Sequence, residues 1–272
     1  MHSEDKIFKV LKSILEKKTL YCNKCKSICK IKFNSGIYKK CTLKICKKEE
    51  SIFKGTIFQN SKLKMSTIMN ILSLWFSKVS NSAISEILKI SRETISKLLK
   101  KALVYVEEKY ISSLGMIGGP GIIVEIDESK FGRRKYHRGH KVDGVWVLGM
   151  VERTPSRKIL LIPVPNRNAE TLINIIKRHV HSESIIFTDC WKGYVNIKNE
   201  FSSHKTINHS LAFVDFVNNI HTNTIEGNWA GIKQNLPVQC RTKKRILLYL
   251  LRYMIKRNSS GDSFKEFIKF LI

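Results

Sequence analysis

Ile122-Ile123-Val124-Glu125-Ile126-Asp127-Glu128 is a β-branched apolar run that turns acidic at its end. Ser184-Ile185-Ile186-Phe187-Thr188-Asp189 repeats the pattern further along the chain. Both read as buried strands that finish on a carboxylate. His221-Thr222-Asn223-Thr224-Ile225-Glu226-Gly227-Asn228-Trp229 reads instead as the opening turns of a helix, with a third acid in it. Two strands that each deliver an Asp, and a helix that delivers a Glu, can gather Asp127, Asp189 and Glu226 around a divalent metal site. Hard oxygen ligands hold Mg²⁺, and two such ions per site can clamp the attacking and leaving oxygens of a phosphoryl transfer.

The intervening sequence supplies the rest of a sheet. Runs at 121–128, 145–153 and 158–164 are strand-like. A helix follows with Asn168 as its cap and Leu172, Ile175, Ile176 and Val180 as its apolar stripe, and then comes the strand at 184–189. Three strands, a helix and a further strand point to an α/β core of the ribonuclease H type over residues 120–258. In that arrangement the first and fourth strands are neighbours, which sets Asp127 beside Asp189. Glu125 is a rival to Asp127, because alternation puts both on one face of the strand and Glu128 on the other. Asp127 lies nearer the strand end, where ligands gather. The bland alternative for an acid amid Ile and Val is a buried salt bridge to an arginine.

Charge narrows the partners. The 272 residues hold 49 Lys and Arg against 22 Asp and Glu, a formal +27. Such a chain repels itself, so a polyanion is its natural partner: double-stranded DNA first, an anionic membrane surface second. No apolar run is long enough to span a bilayer. Lys130, Arg133, Arg134, Lys135, Arg138 and Lys141 crowd the segment after Asp127, with Phe131 and Tyr136 interleaved. They are candidates for gripping phosphate and stacking on bases. Residues 241–257 contain seven Lys or Arg and no acid, on a helix whose apolar seam should pack on the sheet. His221 and Asn223 are candidate auxiliary residues near Glu226; Asn223 shares a helical face with it, and His221 approaches only if the helix starts after it.

The amino-terminal part carries two smaller modules. Residues 1–64 hold 17 lysines against 5 acidic residues. Cys22 and Cys25 form one close pair, and Cys41 and Cys46 a second, with a hairpin-like stretch between them. This pattern suits a zinc ribbon with one structural Zn²⁺, although Cys29 is a rival ligand. Residues 65–114 have helical period and resemble a helix-turn-helix. Ser91 caps the last helix, Ile95, Leu98, Leu99 and Ala102 form its buried face, and Arg92, Lys97, Lys100 and Lys101 point outward as candidate DNA contacts. Leu114 to Pro120 reads as flexible punctuation between domains. Residues 259–272 read as a tail.

These pieces in combination resemble the DDE transposases of Merlin-type DNA transposons and their bacterial insertion-sequence relatives, with an ISXO-like transposase domain. The resemblance rests on Val124 to Gly132, on Thr188-Asp189-Cys190-Trp191-Lys192-Gly193-Tyr194, on Asn208-His209-Ser210 with Phe213-Val214-Asp215, and on His221 to Trp229. It implies catalytic acids at Asp127, Asp189 and Glu226, binding Mg²⁺ or Mn²⁺. It also implies cutting at transposon terminal inverted repeats, joining of the freed 3′-hydroxyl to target DNA, and a homo-oligomer on DNA. The place of action would be the nucleus in a eukaryote, otherwise the nucleoid. Lys130-Phe131-Gly132, where bacterial relatives often carry paired glycines, leans toward the Merlin branch. A domesticated DNA-binding protein that has stopped cutting and a ribonuclease H-like nuclease are the competing functions.

Overall fold

A computed structural model describes residues 4–33, 37–132, 144–207 and 220–272. Helix α1 (Glu4–Leu15) precedes four short strands, β1 (Leu20–Tyr21), β2 (Ile28–Phe33), β3 (Ile37–Cys41) and β4 (Glu49–Ser51). Three helices follow: α2 (Met65–Phe76), α3 (Asn81–Leu88) and α4 (Arg92–Leu114). Then come β5 (Ile123–Phe131), β6 (Val145–Glu152), β7 (Ile159–Val164), α5 (Ala169–His179), β8 (Ile185–Asp189) and β9 (Ser203–Ile207). The chain closes with α6 (Asn223–Asn235), α7 (Ile246–Asn258) and α8 (Ser263–Lys269). Two compact units result, one of residues 1–109 with 262–272 and one of residues 110–261.

In the first unit β1 to β4 form an antiparallel sheet in sequence order, with Cys29 opposite Cys41 in the β2–β3 register. Its interior is made of cysteines: Cys22, Cys29 and Cys41 are buried, with Leu20, Cys25 and Cys46 packed against them. Among the described residues of these four strands, Ile37 of β3 is the buried aliphatic side chain, and the rest of the buried set is cysteine. The helices have an aliphatic core. Ile68, Ile71, Leu72, Trp75 and Phe76 of α2 are buried, as are Ile95, Leu98, Leu99 and Ala102 of α4. The break between α3 and α4 has a local cause. Lys89 takes a left-handed conformation (φ 54°) that ends α3, and the Ser91 hydroxyl accepts from the Thr94 amide to start α4. The sequence reading assigned no element to 259–272, yet α8 stacks Phe264 and Phe267 on Phe76 of α2.

The second unit is a five-stranded mixed sheet in the order β7-β6-β5-β8-β9. Strands β5, β6 and β7 form an antiparallel meander, while β8 and β9 run parallel to β5. Antiparallel neighbours need only hairpins; the parallel step from β7 to β8 needs a crossover, which α5 supplies. Asn168 caps that helix by accepting from the Thr171 amide, as its sequence suggests. Helix α7 packs on β7: Asn258 at its end accepts from the Ile159 amide and donates to the Ile159 carbonyl. The stretch Leu114 to Pro120 is not loose. Ile117 bridges Val180, and the Gly118 amide donates to Glu152. Gly118 (φ +82°) lies so near Ser184 that a Cβ there would sit 2.2 Å from its Oγ. Gly118 is there for close approach rather than for mobility.

Candidate functional site

Asp127 lies on β5 and Asp189 ends β8, its parallel neighbour. The register pairs Glu125 with Phe187, so the two aspartates follow at the next same-face positions. Helix α6 crosses that face and brings Glu226 in its first turn. Two contacts fix it there. The Trp229 indole N–H donates to Asp127 Oδ2 at 2.9 Å, and the Ile225 amide donates to Glu125 Oε2 at 3.0 Å. Trp229 can lie over the strand because Gly149 stands opposite Asp127 in the β5–β6 register. A Cβ on Gly149 would come within 2.6 Å of that indole.

The three acids share one field. Asp127 is pushed up to about 6, first by burial and then, against the hydrogen bonds that lower it, by the charges of Asp189 and Glu226. Each carboxylate is oriented by a donor. Asp127 Oδ1 accepts from the Glu128 amide, Asp189 Oδ1 from the Trp191 amide, and Glu226 Oε1 from the Thr222 hydroxyl. Among the described residues Asp127 and Asp189 have no cationic partner within ion-pair distance. The donor set is all carboxylate oxygen with both aspartates unpaired, which fits a hard divalent cation such as Mg²⁺ or Mn²⁺. Its oxygens are not drawn together as tightly as the cysteine sulfurs described below.

Glu125, the rival, has a different role. It is fully buried, and Arg153 Nε donates to its Oε1 at 2.6 Å. The same guanidinium donates to Nδ1 and to the carbonyl of His221, and lies over the Phe187 ring. Glu125 thus takes the buried salt bridge that was the bland alternative for Asp127. As an anion at the α6 N-terminus it also ties the helix carrying Glu226 to the strand carrying Asp127. His221 stands just before the helix, is held by Arg153, and titrates below the ordinary histidine range because of burial. Asn223 is the first helical residue and is exposed. Glu125→Ala should cost about 3–5 kcal/mol by stranding Arg153, measurable by chemical denaturation; a loss under about 1 kcal/mol, the scale of an exposed pair, would remove this assignment.

Sequence reasoning passed over the face of the sheet opposite α6. Glu128 is pushed up to about 7 by burial, with the Tyr194 hydroxyl lowering it and the charges of Asp127 and Asp189 raising it. Beyond it Lys130 and Trp146 are cross-strand partners. The Arg167 guanidinium lies 4.5 Å from the Trp146 ring centre and 4.8 Å from that of Trp191. A Trp two residues and an Arg three residues beyond a strand end give no periodic signal. The one hint was Trp191-Lys192-Gly193, where Gly193 is bare because the Trp191 ring covers it.

In the first unit the four cysteines meet. Cys22, Cys25, Cys41 and Cys46 have all their sulfurs within 4.8 Å of one another, with Cys25–Cys41 at 3.4 Å and Cys22–Cys46 at 3.7 Å. Each pair sits on a turn closed by a left-handed lysine, Lys26 and Lys47. The Ser27 amide lowers the Cys25 thiol to about 6, whereas burial pushes Cys41 up to about 12. Four sulfurs at these separations can bind a structural Zn²⁺. Cys29, the rival, turns toward the Ser27 carbonyl instead. Of the other two cysteines, Cys240 is buried beside Tyr249, while Cys190 is exposed.

The candidate DNA contacts divide. Arg92, Lys97 and Lys100 are exposed on α4, Lys97 paired with Glu93 at 2.8 Å. Lys101 is exposed too, but its ammonium is spent on the carbonyls of Ile57 and Gln59. Lys130 is exposed and reaches over Trp146. Arg133, Arg134, Lys135, Arg138 and Lys141 lie outside the described residues, as do Asn208 to Ser210 and Phe213 to Asp215. Among the described residues no helix is long and apolar enough to cross a membrane.

Comparison with known proteins agrees with this picture. The chain is 34% identical over 79 residues to an "Uncharacterized transposase-like protein" of Haemophilus influenzae. That match covers 29% of this chain and 63% of the relative, so the chain spans less than two thirds of the relative's length. Residues 114–254 match the ISXO2-like transposase domain. They take in β5 to β9, α5, α6 and most of α7, the whole carboxylate site, and just over half of the sequence. The chain belongs to the ISXO2-like transposase family.

Proposed function

We propose that this chain is a DNA transposase of the DDE type. It would bind transposon ends, cut them, and join the exposed 3′-hydroxyls to target DNA with Asp127, Asp189 and Glu226 as its catalytic acids. One observation carries the proposal: the three carboxylates converge on one face at a parallel strand pair, and among the described residues neither aspartate has the salt bridge that a structural acid would have. The sheet order, with the first and fourth strands adjacent and parallel, supports a ribonuclease H-like core.

In this reading the acids would hold Mg²⁺ or Mn²⁺, which when bound lowers the pKa of a water or hydroxyl nucleophile and stabilises charge on the departing 3′-oxygen. The protein's own contribution is positional. Trp229 fixes Asp127 Oδ2, the Trp191 amide fixes Asp189, and the Glu125–Arg153 pair holds α6 so that Glu226 faces both. Rigid ligands cost no reorganisation at the moment of reaction. In the first step water would attack the end phosphate and a 3′-oxygen leave; in the second that 3′-hydroxyl would attack a target phosphate and displace the 3′-oxygen of the target strand. No protein nucleophile is needed.

End recognition falls, on this proposal, to the cysteine ribbon with its Zn²⁺ and to α3 and α4 acting as a helix-turn-helix, with Arg92, Lys97 and Lys100 toward DNA. The protein would work as a homo-oligomer that pairs two ends. The basic residues 133–141 would add a sequence-blind grip, and Lys130-Phe131-Gly132 supports the Merlin-like branch. Arg133→Ala with Arg134→Ala should weaken binding to every duplex and flatten the salt dependence by roughly 0.9 slope unit per lost contact. A change in which ends are chosen would overturn that division of labour. The central test is metal-dependent end cleavage by the wild-type chain and by Asp127→Asn.

A further inference from the structure

The carboxylate site has a neighbour on the opposite face of the sheet, at the edge where β8 ends. Trp146 opens β6, opposite Lys130 of β5 and Val164 of β7. Arg167 lies three residues past Val164, in the turn before the Asn168 cap. Trp191 lies two residues past Asp189, and its amide is the donor that orients that carboxylate. The guanidinium carbon of Arg167 lies over both indoles, 4.5 Å from the Trp146 ring centre and 4.8 Å from that of Trp191, and the indoles are themselves half-buried. Trp191 is steadied in turn by Tyr194, edge to face at 5.7 Å, and by lying flat on Gly193.

Stacking uses the faces of a guanidinium and leaves its rim of N–H donors pointing outward. Arg167 is exposed, and among the described residues it makes no hydrogen bond and no ion pair. Its charge is felt at Glu128, yet among the described residues no carboxylate takes its donors. An arginine held by two aromatic rings, with its fork unspent, is preorganised for an anion that offers two oxygens side by side to accept two hydrogen bonds. In a chain of net charge +27 that anion is a phosphate diester. The Lys130 ammonium, over the same Trp146 ring at 5.5 Å, adds a second cation to the patch.

We propose that Arg167, clamped by Trp146 and Trp191, is a binding fork for a backbone phosphate of the DNA strand presented to Asp127, Asp189 and Glu226. This rests on the reading of those three acids as the cutting site. The Trp191 amide couples the two places, because a shift of the clamp would also shift the carboxylate of Asp189. The indoles make the arginine rigid, so losing either ring costs binding although no charge is removed.

The test uses the full chain with a 15-nucleotide oligothymidylate in Ca²⁺, followed by fluorescence anisotropy over a range of salt. Arg167→Ala should weaken binding roughly tenfold, the worth of one charge-assisted contact, and lower the salt slope by about 0.7. Trp191→Leu should weaken it severalfold with the slope kept, since the cation remains. Arg157→Ala, which removes the same charge from the hairpin at the far end of β6 and β7, is the control and should change both far less. An unchanged affinity and slope in Arg167→Ala, an equal loss in Arg157→Ala, or no loss in Trp191→Leu would each overturn the proposal. Thermal melts check that the variants fold; Arg167→Ala breaks no hydrogen bond. Binding in Ca²⁺ does not require cutting. Cleavage that survives Asp127→Asn therefore sinks the catalytic reading, while a flat result at Arg167 sinks only the fork.

Discussion

Asp127→Asn should abolish strand cleavage, by at least about 10²–10³-fold, while leaving binding to transposon-end DNA intact. The substitution keeps the shape and the Trp229 hydrogen bond, since the amide oxygen can still accept, and it removes the anion. The protein should not be harmed by it. Asp127 holds its proton up to about 6 in the metal-free fold because burial and two neighbouring acids disfavour its charge. A raised carboxyl pKa means that the folded state binds the proton more tightly than the unfolded chain. Its stabilising share is present at low pH and is lost as pH rises through about 6. Above that pH the ionised group opposes folding, and Asn relieves it. Metal-free Asp127→Asn should therefore melt at or above the wild-type temperature at pH 8, and the difference should shrink toward pH 4. Asp189→Asn should be equally inactive, and Glu226→Gln should retain a small residual activity, because water can take the place of an exposed helix-borne ligand. Normal cleavage by Asp127→Asn, with Glu125→Gln dead, would move the site two residues along the strand. A melting temperature lowered as much as by Glu125→Ala would make Asp127 a structural acid.

That contrast shows how far the sequence could be read. Strand alternation put Glu125 and Asp127 on one face, and both do face α6. What alternation could not say was which of them had a partner. The partner, Arg153, stands at the far end of β6 and reaches Glu125 only because the sheet forms. Likewise the β5 and β8 runs were visible as β-branched stretches ending on acid, and the cap at Asn168 as a polar residue before an apolar stripe. Strand β9, Ser203-His204-Lys205-Thr206-Ile207, has no such signature; its polar edge position is set by pairing with β8. Helix α8 was missed for another reason. It is seven residues long, and it is held by Phe264 and Phe267 against α2, a contact between the two ends of the sequence. Arg167 was missed because a guanidinium between two indoles draws on three loops and strand ends at once. Local patterns survive in sequence; contacts closed by the fold do not.

Removing the metal from the cysteine cluster should unfold the sheet of residues 20–51. Among the described residues its buried side chains are Cys22, Cys29, Cys41 and Ile37, with Leu20 packed on the cysteines. Such a core cannot offset the entropy of ordering some thirty residues, so the energy must come from thiolate–metal bonds. In zinc-finger peptides these contribute about 10–16 kcal/mol at neutral pH. The amide-lowered Cys25 is ready to bind as thiolate, whereas Cys41, held up by burial, gives up its proton when the cation arrives. Purified protein should carry one Zn²⁺ per chain. Cys25→Ser, or a strong chelator, should remove it and expose the 20–51 segment to protease, with the five-stranded sheet of residues 110–261 still folded on its own core. Cys29→Ser should keep the zinc, because that sulfur stands outside the four that lie within 4.8 Å of one another and contacts the Ser27 carbonyl. Zinc content unchanged by Cys25→Ser, or lost equally on Cys29→Ser, would break the assignment of the quartet. Loss of zinc without protease sensitivity would mean that the hairpin stands without its metal, and that the cysteines are core residues after all.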